Sequence, residues 1–137
     1  MRVFLGFLIA TILSVAAFAQ KVETPWQDAV TGQVEAMRAG DGAAALNYAG
    51  DAFQGQFRDD PQMFMVSIVA LGYAPILASR SHSFGAFTEV SDTVVVQAVT
   101  FIGPDQALYE AVYQLSKEDE SWRVQGVVLA RQDGIAI

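Results

Sequence analysis

Side chains capable of acid–base or nucleophilic chemistry are few in this sequence and widely spaced. His82 is the single histidine and lies in a polar Arg-Ser-His-Ser stretch, and there is no cysteine. A histidine cluster or cysteine site for a metal, a thiol nucleophile and a disulfide framework are therefore excluded, and we expect His82 to be solvated or to anchor a loop. Phosphate-binding glycine loops and calcium-loop spacings are also missing. The sequence predicts no metal site, no cofactor and no catalytic set.

The charged residues that stand out occupy positions where such side chains usually support structure. Asp59 and Asp60 precede a proline and are expected to cap a helix, since a carboxylate there complements free N–H groups and the helix dipole. Asp92 falls in a turn, and Glu110 is expected on the outer face of a strand, where a salt bridge is favoured. We expect Arg80 to pair with a carboxylate from the helices, with binding of an anionic ligand as the alternative.

Four larger polar or aromatic side chains form the best candidate for a ligand site. We predict that they line a small cavity between helices and sheet: Gln97, Tyr109, Tyr113 and Trp122. Tyrosine and tryptophan pack well and still offer a polar tip, as a small ligand site requires. The alternative is that these side chains fill the core, as aromatic residues on a strand face usually do.

The elements that would position these residues begin with helices. Thr24-Pro25-Trp26-Gln27 predicts a helix start, with threonine as N-cap, proline at the first helical position and glutamine closing a capping box. Gly40-Asp41-Gly42 ends this helix, and Asp41 is placed to cap a second helix over 42–49. A third helix is predicted from Pro61 to Gly72, whereas residues 51–58 are predicted to form a loop or broken turn.

The second half of the sequence is typical of strands. Runs rich in β-branched and aromatic residues predict strands at 84–90, 93–102, 106–115 and 122–131. No crossover helices separate these runs, so the fold class is α+β, with N-terminal helices packed on a curved antiparallel β-sheet. If Ile102 pairs with Gln106 and Leu115 with Trp122, alternation gives an inner face that includes Gln97, opposite Ala111.

The outer face of the predicted sheet is more apolar than a solvated face requires. Its members are Val94, Val96, Ile102, Leu108, Val112, Val127 and Leu129, beside Glu110, Gln114, Arg123 and Arg131. Large exposed apolar patches usually mark an interface, so homodimerisation through this sheet face is a further hypothesis.

The N-terminal segment is typical of a cleavable signal peptide. Met1-Arg2 is a short positive region, residues 3–17 are apolar and uncharged, and Ala17-Phe18-Ala19 offers a cleavage site. We predict residues 1–19 as signal peptide and 20–137 as a single domain, periplasmic or secreted. Loss of Arg2 leaves seven basic against fifteen acidic side chains, a formal charge of −8. Such acidity disfavours nucleic acid and anionic membrane surfaces as partners.

The order of several short strings resembles a known family. The strings include Arg38-Ala39-Gly40-Asp41, Gln54-Gly55-Gln56-Phe57, Gly72-Tyr73-Ala74-Pro75 and Trp122-Arg123-Val124-Gln125-Gly126. Together they are similar to domain of unknown function 4864, a family of exported bacterial proteins with a nuclear-transport-factor-2-like (cystatin-like) fold. The chain departs from that pattern before Arg80-Ser81 and at Val127, where the family tends to carry cysteine. The resemblance implies a fold and a compartment but no mechanism.

Three hypotheses for function follow. The preferred one is an exported, non-enzymatic binding or accessory module that holds a small apolar ligand or a protein partner. The second is an isomerase, dehydratase or hydrolase that uses a tyrosine or aspartate in the pocket between helices and sheet. The third is a structural or assembly subunit acting through its apolar sheet face. An enclosed pocket with a carboxylate or histidine within hydrogen-bond reach of Tyr109 or Tyr113 would favour the enzyme.

Overall fold

The computed structural model of the protein describes residues 22–132. Within that range five helices are followed by four strands: α1 (Trp26–Arg38), α2 (Gly42–Asn47), α3 (Asp51–Phe57), α4 (Pro61–Ala70), α5 (Ala74–Leu77), β1 (Ser81–Ser91), β2 (Val94–Ile102), β3 (Leu108–Glu118) and β4 (Ser121–Gln132). The strands pair in the antiparallel order β1-β2-β3-β4. The predicted α+β class is confirmed. The predicted signal peptide lies outside the described residues.

Helix starts follow the sequence signals only in part. The Asp41 carboxylate accepts a hydrogen bond of 3.0 Å from the Ala44 N–H, so it caps α2 as predicted. The capping box predicted for α1 is wrong, because the Thr24 hydroxyl donates to the Gln27 side-chain oxygen at 3.0 Å instead of accepting from a backbone N–H. Asp60 precedes α4 without a side-chain cap bond.

The segment predicted as a loop or broken turn forms the short helix α3. Its two phenylalanines, Phe53 and Phe57, both contact Phe64 of α4, with ring centroids 6.0 and 5.4 Å apart. Their spacing of four residues brings them to one face of a single helical turn. These rings therefore anchor the segment to the core.

The strand register differs from the prediction at the β2–β3 turn and within β4. Ile102 pairs with Leu108 and not with Gln106, a shift of two residues that leaves the faces of β2 and β3 unchanged. Gln97 consequently lies opposite Tyr113. In β4 the register shifts between the pairs Gln114–Gly126 and Leu115–Val124, which marks a β-bulge.

The bulge exchanges the two faces of β4 beyond Gln125, because one extra residue reverses the alternation of side chains. Val127 and Leu129 pack against the core, and Val128 is exposed on the outer face. The prediction that Val127 and Leu129 lie on the outer face is wrong for this reason.

One apolar core lies between the helices and the inner face of the sheet. Many of its fully buried members come from α1, β2 and β3, among them Val30, Val34, Val95, Val99, Phe101, Tyr113 and Leu115, and α5 contributes Ile76. The chain beside Ala49 runs parallel to β4 and is bonded to it at Val124. None of the helices in the described part of the chain is long and apolar enough to cross a membrane.

Candidate functional site

Gln97, one of the four predicted site residues, is fully buried and has partners on both sides. Its Oε1 accepts hydrogen bonds from Trp26 Nε1 at 2.8 Å and from Gln27 Nε2 at 3.1 Å. Its Nε2 donates to the backbone oxygens of Gly85 at 3.0 Å and Ala98 at 2.7 Å. Gln97 thus joins the first turn of α1 to the sheet, and the polar group predicted on the core face has the partners that burial requires.

The other three predicted site residues, Trp122, Tyr113 and Tyr109, do not form one cluster with Gln97. The Trp122 ring packs edge-on against Trp26, the hydrogen-bond partner of Gln97, at a centroid distance of 5.6 Å. Tyr113 is fully buried, and its hydroxyl has no hydrogen-bond partner among residues 22–132. Burial raises the pKa of Tyr113 well above its usual range, against a smaller opposing effect of Arg38. Tyr109 is half-buried beside Gly103 in the β2–β3 turn.

A cavity lies elsewhere, between the helical layer and β4. Its volume is ≈ 390 Å³. Helices and β4 supply most of its lining: Gln33 and Met37 from α1; Phe53, Gln56 and Phe57 from α3; Phe64, Ser67 and Ile68 from α4; Ile76 from α5; and Val124, Gly126 and Val127 from β4. The connecting segments add Ala49, Leu71 and Tyr73. The four predicted site residues are not in this lining, so a ligand-binding role for them stays a prediction.

The cavity wall is apolar, with a small number of uncharged polar groups. No aspartate, glutamate, histidine, lysine or arginine is found among its described lining residues. The Tyr73 hydroxyl donates to the backbone oxygen of Val127. Gln33 is 1% exposed, and its Nε2 donates to the Ala45 oxygen at 3.2 Å. The other amide atom, Gln33 Oε1, has no hydrogen-bond partner within the described residues.

Helix α3 forms one wall of the cavity and is held only lightly. None of its seven residues is fully buried in the structure as described, and Gly50 precedes it without a side-chain cap. Its attachments include the contacts of Phe53 and Phe57 with Phe64 and hydrogen bonds from the Asp51 N–H to Glu118 and from the Gln54 amide to the Ala49 oxygen. Elements with few buried apolar contacts open most easily, so we expect α3 to be the least stable part of this wall.

His82 lies outside this cavity, in a polar cluster where α1 faces β1. Its Nδ1 accepts a hydrogen bond of 3.2 Å from Arg38 Nη2, because a guanidinium can only donate. The proton therefore sits on Nε2, which donates to the Thr31 hydroxyl at 3.1 Å. Burial and the Arg38 charge lower the pKa of His82, while Glu35 raises it by less. His82 is half-buried within β1 and not part of a loop.

The remaining charged candidates lie apart from the cavity. Glu110 accepts a hydrogen bond from the Thr100 hydroxyl across β2 and β3, in place of the expected salt bridge. Asp92 lies in the turn between β1 and β2, as predicted, and Arg80 is exposed just before β1. Over residues 22–132, no three His, Asp or Glu side chains come close enough together to hold a metal ion.

Comparison with protein families identifies the chain. The model of domain of unknown function 4864 (DUF4864) matches residues 19–137. The protein belongs to the DUF4864 family. A search of curated proteins finds no match.

Two solved structures with the same fold as this DUF4864 domain are nuclear-transport-factor-2-like proteins. One, from Shewanella baltica and of unknown function, is 11% identical with a TM-score of 0.53, covering 80% of this chain and 93% of that chain. Another, from Campylobacter jejuni, provisionally described as an NTF2-like transpeptidase, is 13% identical with a TM-score of 0.52, covering 72% and 95%. At such low identity these likenesses establish the fold alone.

Sequence reasoning missed most of the cavity of this DUF4864 domain. Phe53, Phe57 and Gln56 lie in the segment predicted as a loop or broken turn. A cavity between helices and sheet is predicted, but none of its four predicted residues lines the cavity found. One signal was available in α1. Gln33 interrupts an apolar stripe one turn before Met37, and a polar residue on a buried helix face needs a partner or a ligand.

Proposed function

We propose that the DUF4864 domain is an exported binding module that holds a small apolar ligand in the cavity between α1, α3, α4 and β4. The observation that carries this proposal is the cavity itself: ≈ 390 Å³ with a wall of mainly apolar side chains. Ligand sites of proteins are typically concave, largely apolar and of about 300–1,000 Å³. The volume lies within that range, which supports an occupant.

The volume of the cavity limits the size of the ligand. A cavity of about 150 Å³ is enough to hold benzene. The volume of ≈ 390 Å³ found here corresponds to a ligand of roughly two fused or linked rings, or an aliphatic chain of similar bulk.

Export is part of the same proposal and rests on the sequence. Residues 1–19 have the charge, apolar length and small-residue pattern of a signal peptide. The match to the family begins at residue 19, beside the proposed cleavage site, which supports a mature domain starting at Gln20. We place the domain in the periplasm or outside the cell.

The enzyme hypothesis has less support from the geometry. Acid–base catalysis needs an ionisable group positioned against the substrate. Tyr73 is the one ionisable side chain of the described lining, and its hydroxyl already donates to Val127. The Tyr113 hydroxyl, where a catalytic carboxylate or histidine was sought, has no hydrogen-bond partner among the described residues.

A titration with the neutral dye N-phenyl-1-naphthylamine tests the proposal. We expect saturable fluorescence enhancement with the purified mature domain. Val127→Phe places a larger side chain in the cavity wall and is expected to weaken binding at least tenfold. Val128→Phe is the matched control, since the neighbouring residue is exposed on the outer face of the sheet. Absence of saturable binding, or equal loss in both variants, would overturn the proposal.

A second candidate function, assembly through the outer face of the sheet, is favoured by a separate observation. Large apolar side chains on β2, β3 and β4 are exposed there: Ile102, Leu108, Val112 and Val128. Val112 and Val128 lie directly opposite each other on neighbouring strands and form a continuous patch. Apolar patches of this kind mark interfaces more often than free surface.

A further inference from the structure

Gln33 gives the cavity a chemical polarity that its volume alone does not reveal. The amide is almost completely buried, and its Nε2 donates to the Ala45 oxygen of α2. The opposite orientation of the amide would place Oε1 against the Ala45 oxygen, bringing two acceptors together, so this hydrogen bond fixes the orientation. Oε1 is therefore the free acceptor, and it has no partner among residues 22–132.

An unpaired acceptor inside a protein is unusual and costly. Most buried polar groups have a partner, and a buried acceptor without one loses its hydration for no return. Leucine or methionine would fill the same position on α1 without that cost. A glutamine with a free acceptor among the residues of the cavity wall therefore points to a partner that arrives with the ligand.

The other polar groups of the wall agree with an acceptor site. Tyr73 uses its hydroxyl hydrogen on Val127, so only its oxygen lone pairs remain to face an occupant. Ser67 can donate or accept. Among the described lining residues there is no cation to neutralise a carboxylate or phosphate, and no carboxylate to neutralise an amine. A charged group would be desolvated in this cavity without compensation.

We infer that the ligand is a neutral molecule with an apolar body and a hydroxyl or N–H group that donates a hydrogen bond to Gln33 Oε1. Alcohols, phenols and primary or secondary amides belong to this class, whereas fatty acids and amines do not. The inference rests on the proposed function, because it names the chemistry of the ligand held in the same cavity.

Three naphthalene derivatives of similar size test whether the cavity prefers a hydrogen-bond donor, an acceptor or a charged group, by competition with the dye at pH 7. 2-Naphthol can donate a hydrogen bond, 2-methoxynaphthalene can only accept one, and 2-naphthoate is charged. We expect 2-naphthol to bind about fivefold to tenfold more tightly than the more apolar ether, because one buried donor–acceptor pair is formed. 2-Naphthoate should bind the least tightly of the three.

Variants assign the preference to Gln33. In Gln33→Met the advantage of 2-naphthol over 2-methoxynaphthalene should fall to less than twofold, while both still bind. Gln114→Met makes the same change on the exposed outer face of β3 and should keep the full preference. Melting temperatures of both variants show whether the fold is intact. The comparison of 2-naphthol with 2-methoxynaphthalene in the unaltered protein needs no variant.

The outcomes separate the two proposals. Saturable binding of 2-naphthol and its ether with equal affinity would overturn the inference about the donor and leave the cavity as a binding site. A preference that persists in Gln33→Met would overturn the assignment to Gln33. Failure of all three compounds and of the dye to bind would instead overturn the proposed function.

Discussion

Gln97 shows how one buried side chain can join two layers of a domain. It accepts from Trp26 and Gln27 of α1 and donates to backbone oxygens of the sheet. Replacing it by leucine keeps the volume but leaves the buried Trp26 indole N–H without a partner. We expect Gln97→Leu to lower the free energy of unfolding by about 2–3 kcal/mol, measured by urea denaturation.

A double-mutant cycle tests this explanation. Trp26→Phe removes the N–H that Gln97→Leu leaves unpaired, so the double variant should lose about 1 kcal/mol less than the sum of the single variants. Strictly additive losses would contradict the explanation. Binding of N-phenyl-1-naphthylamine by Gln97→Leu is a second readout. It should not change if Gln97 is structural, and a large loss would support the predicted ligand role of Gln97 instead.

His82 should make the stability of the domain depend on pH. Because its pKa in the folded state is lowered, mainly by burial and then by Arg38, the unfolded chain binds the proton more readily. The stabilisation is present above the unfolded pKa of about 6.5 and is lost as the pH falls from there towards the folded pKa. Protonation would also turn Nδ1 into a donor facing the Arg38 guanidinium.

The expected result is a decrease in unfolding free energy between pH 7.5 and pH 5.5 that is larger in the unaltered protein than in His82→Gln. Glutamine can accept from Arg38 and donate to Thr31 without titrating, so it imitates the neutral histidine. Surface carboxylates titrate mainly below this range. Parallel pH profiles for the two proteins would refute the prediction.

At the level of elements, the stability of helix α3 should respond to a substitution at its glycine. Gly55 lies within this helix, and a Cβ there would meet no atom of the described structure within 4 Å. We expect Gly55→Ala to stabilise the domain by about 0.5–1 kcal/mol and to slow hydrogen exchange in α3, because alanine loses less conformational entropy in a helix.

Gly40→Ala is the matched contrast. A Cβ at Gly40 also meets nothing within 4 Å among the described residues, but the backbone there has φ +72°. The same change should therefore destabilise the protein by about 1 kcal/mol, since alanine is strained in the left-handed region. If both variants changed stability in the same direction, backbone conformation would not be the cause.

The elements also show which parts of the fold can be predicted from sequence and why others cannot. Helices α1, α2 and α4, the run of four strands, the Asp41 cap and the inner faces of β2 and β3 follow from local signals, namely turn residues and alternation. The bulge in β4 does not, because residues 127–129 are apolar on both faces and either alternation looks acceptable. The lining of the cavity depends on that bulge and on α3 together, so it could not be predicted from local sequence signals.

At the scale of the whole molecule, charge and apolar surface are distributed unevenly. The chain has a formal net charge of −7, yet the centre of the outer sheet face carries mainly Val, Ala, Thr, Ile and Leu side chains. Glu110 is the carboxylate of that centre, and it is hydrogen-bonded to Thr100. Two copies of this chain can thus bring these faces together with little of the repulsion that other surfaces would meet.

We propose that the mature domain forms a homodimer through this face, with the Val112–Val128 patch at its centre. Val128 is 69% exposed and Val112 is 45% exposed, so both would gain from burial. Sedimentation equilibrium at micromolar concentrations should give about twice the mass of one chain, and Val128→Lys should shift the equilibrium to monomers. Val66→Lys, at an exposed position of α4, is the control and should remain dimeric. A monomeric mature protein, or equal dissociation by both lysines, would rule out the sheet face as the interface.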